Sequence, residues 1–180
     1  MTWLKKAAII AELTEKLSGK GSWCGETHLQ KAMYFLQELC RVPTEFDFIL
    51  YKHGPFSFDF RDALTEMRAD GLLRLISQYP YGPSLATTDT AKELRTRFPS
   101  TIKNYSKHID FVAATLGNKR VNDLEQLATA LWVYKEMPGY KQRELAQRIH
   151  ELKPHVSLED AQSALEAVQQ IRLAAPVATT

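Results

Sequence analysis

Several polar clusters in this 180-residue chain have residue types and spacings that chemistry can use. Cys24 and His28 stand one helical turn apart, so both could face one ligand, but a zinc site needs three or four donors and the neighbouring sequence offers no others. His53 lies beside Tyr51 and Ser57, where a base could meet a hydroxyl. The sequence fixes no carboxylate next to it, so a turn histidine bonded within its own loop is the expected reading. The run Ser18-Gly19-Lys20-Gly21-Ser22 has the composition of a phosphate loop. It follows a helix-like stretch rather than a strand and lacks the full glycine spacing, so an interhelical loop is expected. Asp59, Asp62 and Glu66 recur at helical spacing without a matched histidine or lysine, which predicts a solvated or partner-facing stripe. No His-Glu-x-x-His run, nucleophile elbow or dinucleotide fingerprint occurs. A non-catalytic protein with no cofactor and no metal is expected.

The elements that must position these residues follow from periodicity and punctuation. A first helix is predicted over residues 3–17, with Ile10, Leu13 and Leu17 inward. A second starts at Thr27, where Thr27 and Gln30 fit a capping box, and carries Leu29, Met33, Leu36 and Cys40. Residues 45–51 alternate as a short strand with Phe46, Phe48 and Leu50 facing the helices. Gly54-Pro55 turns the chain, Ser57 caps a third helix over residues 58–70, and Asp70-Gly71 stops it. Residues 72–77 and 84–87, joined across Tyr79, Pro80 and Tyr81, read as a wing. Five further helices are predicted from residue 89 onward, of which 121–137 is apolar over more than half its circumference and belongs at the centre.

Two cysteines and no apparent secretory leader predict a reducing compartment, and no stretch reaches the roughly 20 apolar residues of a membrane span. A cytoplasmic protein with no membrane contact is expected. The net charge is only +2. Residues 41–70 hold six acids against four bases, whereas residues 89–120 hold seven bases against three acids. That distribution predicts an acidic face and one modest basic patch rather than a general nucleic-acid binder.

Three stretches carry a family likeness: Leu29 to Gln37, with its Leu-Gln-Lys start; Tyr51-Lys52-His53-Gly54-Pro55-Phe56-Ser57; and Asp70-Gly71-Leu72-Leu73. In these the chain resembles the Panacea (SocA-like antitoxin) domain family. It is more similar to the YwgA-like group, with which it also shares Leu127-Ala128-Thr129-Ala130 and the Lys153-Pro154-x-x-Ser157 stretch. The first resemblance implies neutralising a toxin by binding it. The second implies a setting among mobile-element and phage-defence genes.

The expected fold is therefore mainly α with some β: a winged-helix-like core with a short three-stranded antiparallel sheet, extended by a C-terminal helical bundle. Residues 1–98 would form the core, 99–173 the helices packed on it, and 174–180 a frayed tail. The expected function is a regulatory or adaptor protein that binds a protein partner, such as a toxin or defence component, or a second copy. The contact would use Asp59, Asp62 and Glu66 with Phe56, Tyr79 and Tyr81 as aromatic anchors. The alternative is a winged-helix transcriptional regulator that meets DNA through Arg61, Arg68, Lys92, Arg95, Arg97, Lys103 and Lys107. Against it, the helix before the wing carries carboxylates, which phosphates repel.

Overall fold

In the computed structural model, residues 1–79 and 81–178 are described, with the backbone alone at Gln78 and Tyr81. Pro80 of the expected wing, the tail residues 179 and 180 and the Tyr81 side chain lie outside the described residues.

Helix α1 (Trp3–Gly19) is buried around much of its middle, where Ala7 to Ala11 have no exposed surface, so its packing is wider than the Ile10, Leu13, Leu17 stripe alone. Helix α2 (Glu26–Tyr34) runs on as a single π-turn (Phe35–Leu39). Its N-cap is Gly25 and no side chain caps it, so the expected Thr27–Gln30 box is not formed. Gln30 is instead fully buried and spends its amide on another element. A hairpin of β1 (Ile49–Tyr51) and β2 (Gly54–Phe56) follows, turning at Lys52 and His53 with Tyr51 opposite Gly54. Ser57 caps α3 (Phe58–Ala69) as expected, its hydroxyl accepting from Phe60 N at 3.1 Å. Phe60, Ala63, Leu64 and Met67 form the buried side of α3.

Gly71, at φ +69°, reverses the chain into a second hairpin, β3 (Leu73–Gln78) with β4 (Tyr81–Thr87), whose register shifts between Ile76 and Gln78. The Thr88 hydroxyl caps α4 (Asp89–Arg97), and Pro99 both ends it and opens α5 (Pro99–Leu116). Helices α6 (Val121–Glu136), α7 (Gln142–Leu152) and α8 (Leu158–Ala174) complete the chain, α8 capped by Ser157. Helix α6 lies against α2, β2, α7 and α8, and α1 against α4, α5 and β4. Past α8 the chain runs back over α2, where Ala178 N donates to Cys40 O.

The three-stranded sheet of a winged-helix-like core is not formed. The described residues give eight helices and two separate two-stranded antiparallel sheets. Two local causes are visible. Residues 49–51 find their partner immediately downstream in β2 rather than in the later hairpin, and β3 and β4 pair only with each other. Residues 45–48, expected as the first half of the strand 45–51, stay outside it: the Phe46 backbone is held by the Gln37 side chain, and Glu45 takes a left-handed φ of +58° that breaks the pleat. The expected facing still holds where the strand survives: Phe46 is buried, Phe48 and Leu50 are half-buried, and Asp47, Ile49 and Tyr51 are exposed.

At Gly54 the β1–β2 hairpin comes close to α6. The Gly54 φ is +83°, and a Cβ there would stand 3.1 Å from Thr129 Oγ1 and 3.5 Å from the Glu125 carbonyl oxygen of α6. Gly139 has a similar φ of +86° but open space around it. Gly139→Ala should therefore cost about 1 kcal/mol from backbone strain alone. Gly54→Ala should cost about 2–4 kcal/mol, because a crowded contact adds to the same strain. Urea unfolding midpoints at unchanged slope measure both; equal losses would contradict the close packing of the hairpin on α6.

Candidate functional site

The motif residues named above converge on one place, the backbone of residues 46–57. Gln30 and Gln37, two turns apart in the α2 segment, each clasp the backbone N–H and C=O of one residue. Gln30 donates to Ser57 O and accepts from Ser57 N, both at 2.9 Å. Gln37 donates to Phe46 O at 2.9 Å, accepts from Phe46 N at 2.7 Å, and also accepts from the Thr44 hydroxyl. Between these ends two lysines reach the hairpin. Lys31 Nζ donates to Pro55 O at 2.8 Å, and Lys153 Nζ donates to Tyr51 O at 2.9 Å and to Lys52 O. Thr129, from the Leu127 to Ala130 stretch, stands beneath Gly54.

Glu125 of α6 supplies the compensating charge. Its carboxylate is buried, 3.6 Å from Lys153 Nζ through Oε1. His53 Nδ1 lies 3.4 Å from Oε2 and His155 Nε2 lies 3.5 Å from Oε1, both rings largely exposed. These groups border an open cleft of about 660 Å³, walled by residues 50–53 on one side and 152–155 on the other. Burial pushes the Lys31 ammonium down to about 8; the Glu125 carboxylate opposes that shift and Lys153 adds to it. A carboxylate beside two histidines could pass a proton. What the geometry shows directly is that Lys31 and Lys153 hold the hairpin carbonyls while Glu125 balances their charge.

The opposite, outward side of the hairpin is aromatic. The rings of Tyr51, Phe56 and Phe58 contact one another at centroid distances of 5.1 to 5.9 Å, and the Arg61 guanidinium lies 5.0 Å over Phe58. Tyr51 is 54% exposed and Phe58 40%, with Ile49 alongside at 46%. Asp59, Asp62 and Glu66 are exposed on the adjoining α3, Asp62 beside Arg61 at 3.7 Å. The fold thus brings Phe56 together with the acidic stripe, while Tyr79 stands almost fully exposed at the tip of the other hairpin.

The residues of the basic patch are scattered. Arg95 is not free: its guanidinium donates to Glu12 at 2.9 Å and is mostly covered. Lys92 borders a polar hollow with Glu15, Arg74 and Asp89, and Arg68 borders another with Glu26 and Arg61. Arg97, Lys103 and Lys107 are exposed along α4 and α5. Cys24 and His28 do not meet: the thiol donates to Thr14 O, while His28 bonds Leu116 O and Ser22 Oγ through its two ring nitrogens. No group of three or more His, Cys, Asp or Glu among the described residues could hold a metal ion.

Comparison of the chain with protein-family models finds no match, and comparison with curated proteins finds none. The family likeness therefore rests on the quoted motifs.

Sequence reasoning missed Glu125 as the partner of His53, and Lys31 and Lys153 as backbone donors. The signal was present. Lys31 sits in a segment flanked by Ala32, Met33, Tyr34 and Phe35, and Glu125 in a helix apolar over most of its circumference, so each charge had little water left to face. Lys31 gives a titration test. Its folded value of about 8 lies below the ordinary lysine value of 10.5, so between those pH values the unfolded chain binds more protons. The Lys31 contribution to unfolding free energy should rise with pH across that window, by at most about 3 kcal/mol. The pH dependences of unfolding free energy of wild type and Lys31→Met should diverge between pH 8 and 10.5; parallel curves would contradict a Lys31 whose charged form is disfavoured by burial.

Proposed function

We propose that this chain is a non-catalytic regulatory or adaptor protein that binds a protein partner through the outer face of the β1–β2 hairpin and the start of α3. The observation that carries this reading is the exposed, mutually packed ring cluster of Tyr51, Phe56 and Phe58 on a hairpin held from beneath by buried polar side chains. Such a surface loses little conformational freedom on association, and its rings supply the desolvated anchors that dominate interface energetics. Asp59, Asp62 and Glu66 at its edge favour a basic partner and would speed encounter more than they tighten the complex. The resemblance to antitoxin-like and defence-associated groups supplies the setting: a toxin or defence component as partner.

The DNA-binding alternative is less well supported. Arg95 is engaged by Glu12, α3 turns carboxylates outward, and the exposed bases are spread over three helices, α3, α4 and α5, rather than gathered on one face-reading element.

The test is capture from nuclease-treated lysate of the native host, followed by binding measurements with the recovered protein. Phe58→Ala, at a half-exposed position that the fold tolerates, should weaken the complex about 30-fold or more, and Asp59, Asp62 and Glu66 changed together to Ala should slow association and flatten its salt dependence. The reading is wrong if both variants bind as wild type, or if only nucleic acid is recovered and Lys103→Glu abolishes its binding.

A further inference from the structure

A second feature lies on the other side of residues 44–48 from α3. The π-turn after α2, this segment and the end of α6 enclose a cleft of about 470 Å³. Its wall is aromatic. Tyr34 stacks on Trp132 at a centroid distance of 6.2 Å and an interplanar angle of 30°, and meets Phe48 edge-on at 5.1 Å. Its rim is acidic: Glu38, Glu45, Asp47 and Glu136 against Lys135 alone.

Two of those carboxylates are already neutralised. Glu45 takes the N-terminal ammonium at 3.2 Å and Lys6 at 3.3 Å, and Glu38 takes Lys135. Asp47 and Glu136 are exposed and have no ion-pair partner among the described residues. The lining also holds polar groups whose bonding is incomplete. Tyr34 is only 1% exposed, yet no described group bonds its hydroxyl. Trp132 Nε1 is buried without an acceptor. Burial, reinforced by the Glu136 carboxylate, holds the Tyr34 phenol well above its ordinary range, so it stays a neutral hydroxyl able to donate and accept.

We propose that this cleft binds the guanidinium group of an arginine carried on a partner polypeptide, stacked against the half-buried Trp132 indole, which Tyr34 backs from inside, and bonded by Asp47 and Glu136. The flat indole suits a planar cation better than a compact ammonium, which is more strongly hydrated and cannot stack. Two unpaired carboxylates match the forked donors of a guanidinium. A peptide-borne arginine also brings a backbone carbonyl, an acceptor for the Tyr34 hydroxyl, which lines the cleft and has none among the described residues. The proposal deepens the partner reading and rests on it only for the source of the arginine; the cleft itself is tested without any partner.

The probe is N-acetyl-arginine amide, titrated into the whole chain while the Trp132 indole N–H resonance is followed, identified among the three tryptophans by its loss in Trp132→Phe. Saturable shifts with a Kd on the order of 1 to 10 mM are expected for one side chain. N-acetyl-citrulline amide, the neutral isostere, should bind at least about tenfold more weakly, and Asp47→Asn or Glu136→Gln should each weaken the arginine probe about fivefold. Absence of saturable shifts, or equal shifts with citrulline, overturns the proposal. Butylguanidinium binding as tightly as the capped arginine overturns the polypeptide source. If the captured partner is lost with Phe58→Ala while the arginine probe still binds that variant, the cleft and the hairpin surface are separate contacts, as proposed. If the partner reading fails, the probe titration still decides the guanidinium site.

Discussion

The backbone of residues 46–57 must be buried against α2 and α6, yet it forms only three ladder positions with itself. Buried N–H and C=O groups that no strand satisfies must find partners elsewhere, at a cost of about 1–3 kcal/mol each if they do not. Here side chains take the place of a third strand. Gln30 and Gln37 imitate the donor and acceptor of a neighbouring backbone at Ser57 and Phe46, and Lys31 and Lys153 bond the carbonyls between them. A primary amide can do this because it carries the same pair of groups as a peptide unit.

The rest of the local architecture follows from that substitution. Two ammonium groups brought this deep require a counter-charge, which Glu125 provides from α6. Glycine at position 54 lets the hairpin descend far enough onto α6 for the lysines to reach it. The Gln37 clasp holds Glu45 in its left-handed conformation and sets Phe46 against Phe60 at 5.1 Å, which ties the segment to α3. With its inner side committed, the hairpin turns Tyr51, Phe56 and Phe58 outward, and the same segment closes the Tyr34 and Trp132 cleft behind it. Both candidate contact regions therefore depend on a segment whose shape is fixed by α2.

Most of the helices were legible because local signals sufficed. Ser57, Thr88 and Ser157 cap where their side chains predict, Pro99 marks the end of α4, although α5 starts there rather than at Ile102, and the wide apolar surface of 121–137 brings α6 against α2, β2, α7 and α8. The sheet was not legible, since the choice between a third strand and a side-chain clasp is made by tertiary contacts. Thr27 and Gln30 show the difficulty: their spacing satisfies a capping rule, but Gln30 gains more by pairing a buried backbone unit at Ser57 than an exposed one at the helix start. Arg95 likewise looked available to phosphate only because Glu12, 83 positions away, was not visible as its neighbour. At the candidate site the residues of the family-like motifs were visible, but their common target was not, because they lie on the α2 segment, on α6 and after α7, far apart in sequence.

Amide hydrogen exchange at Ser57 and Phe46 tests the side-chain clasp most directly. The Ser57 N–H donates to the buried Gln30 carbonyl and the Phe46 N–H to the half-buried Gln37 carbonyl, so both should exchange only when the whole chain unfolds, with opening free energies that match global stability and fall with denaturant at the global slope. Exchange of either amide through a low-energy, denaturant-independent opening would mean that the hairpin is loosely attached, and that α2 does not fix the shape of the surface it presents.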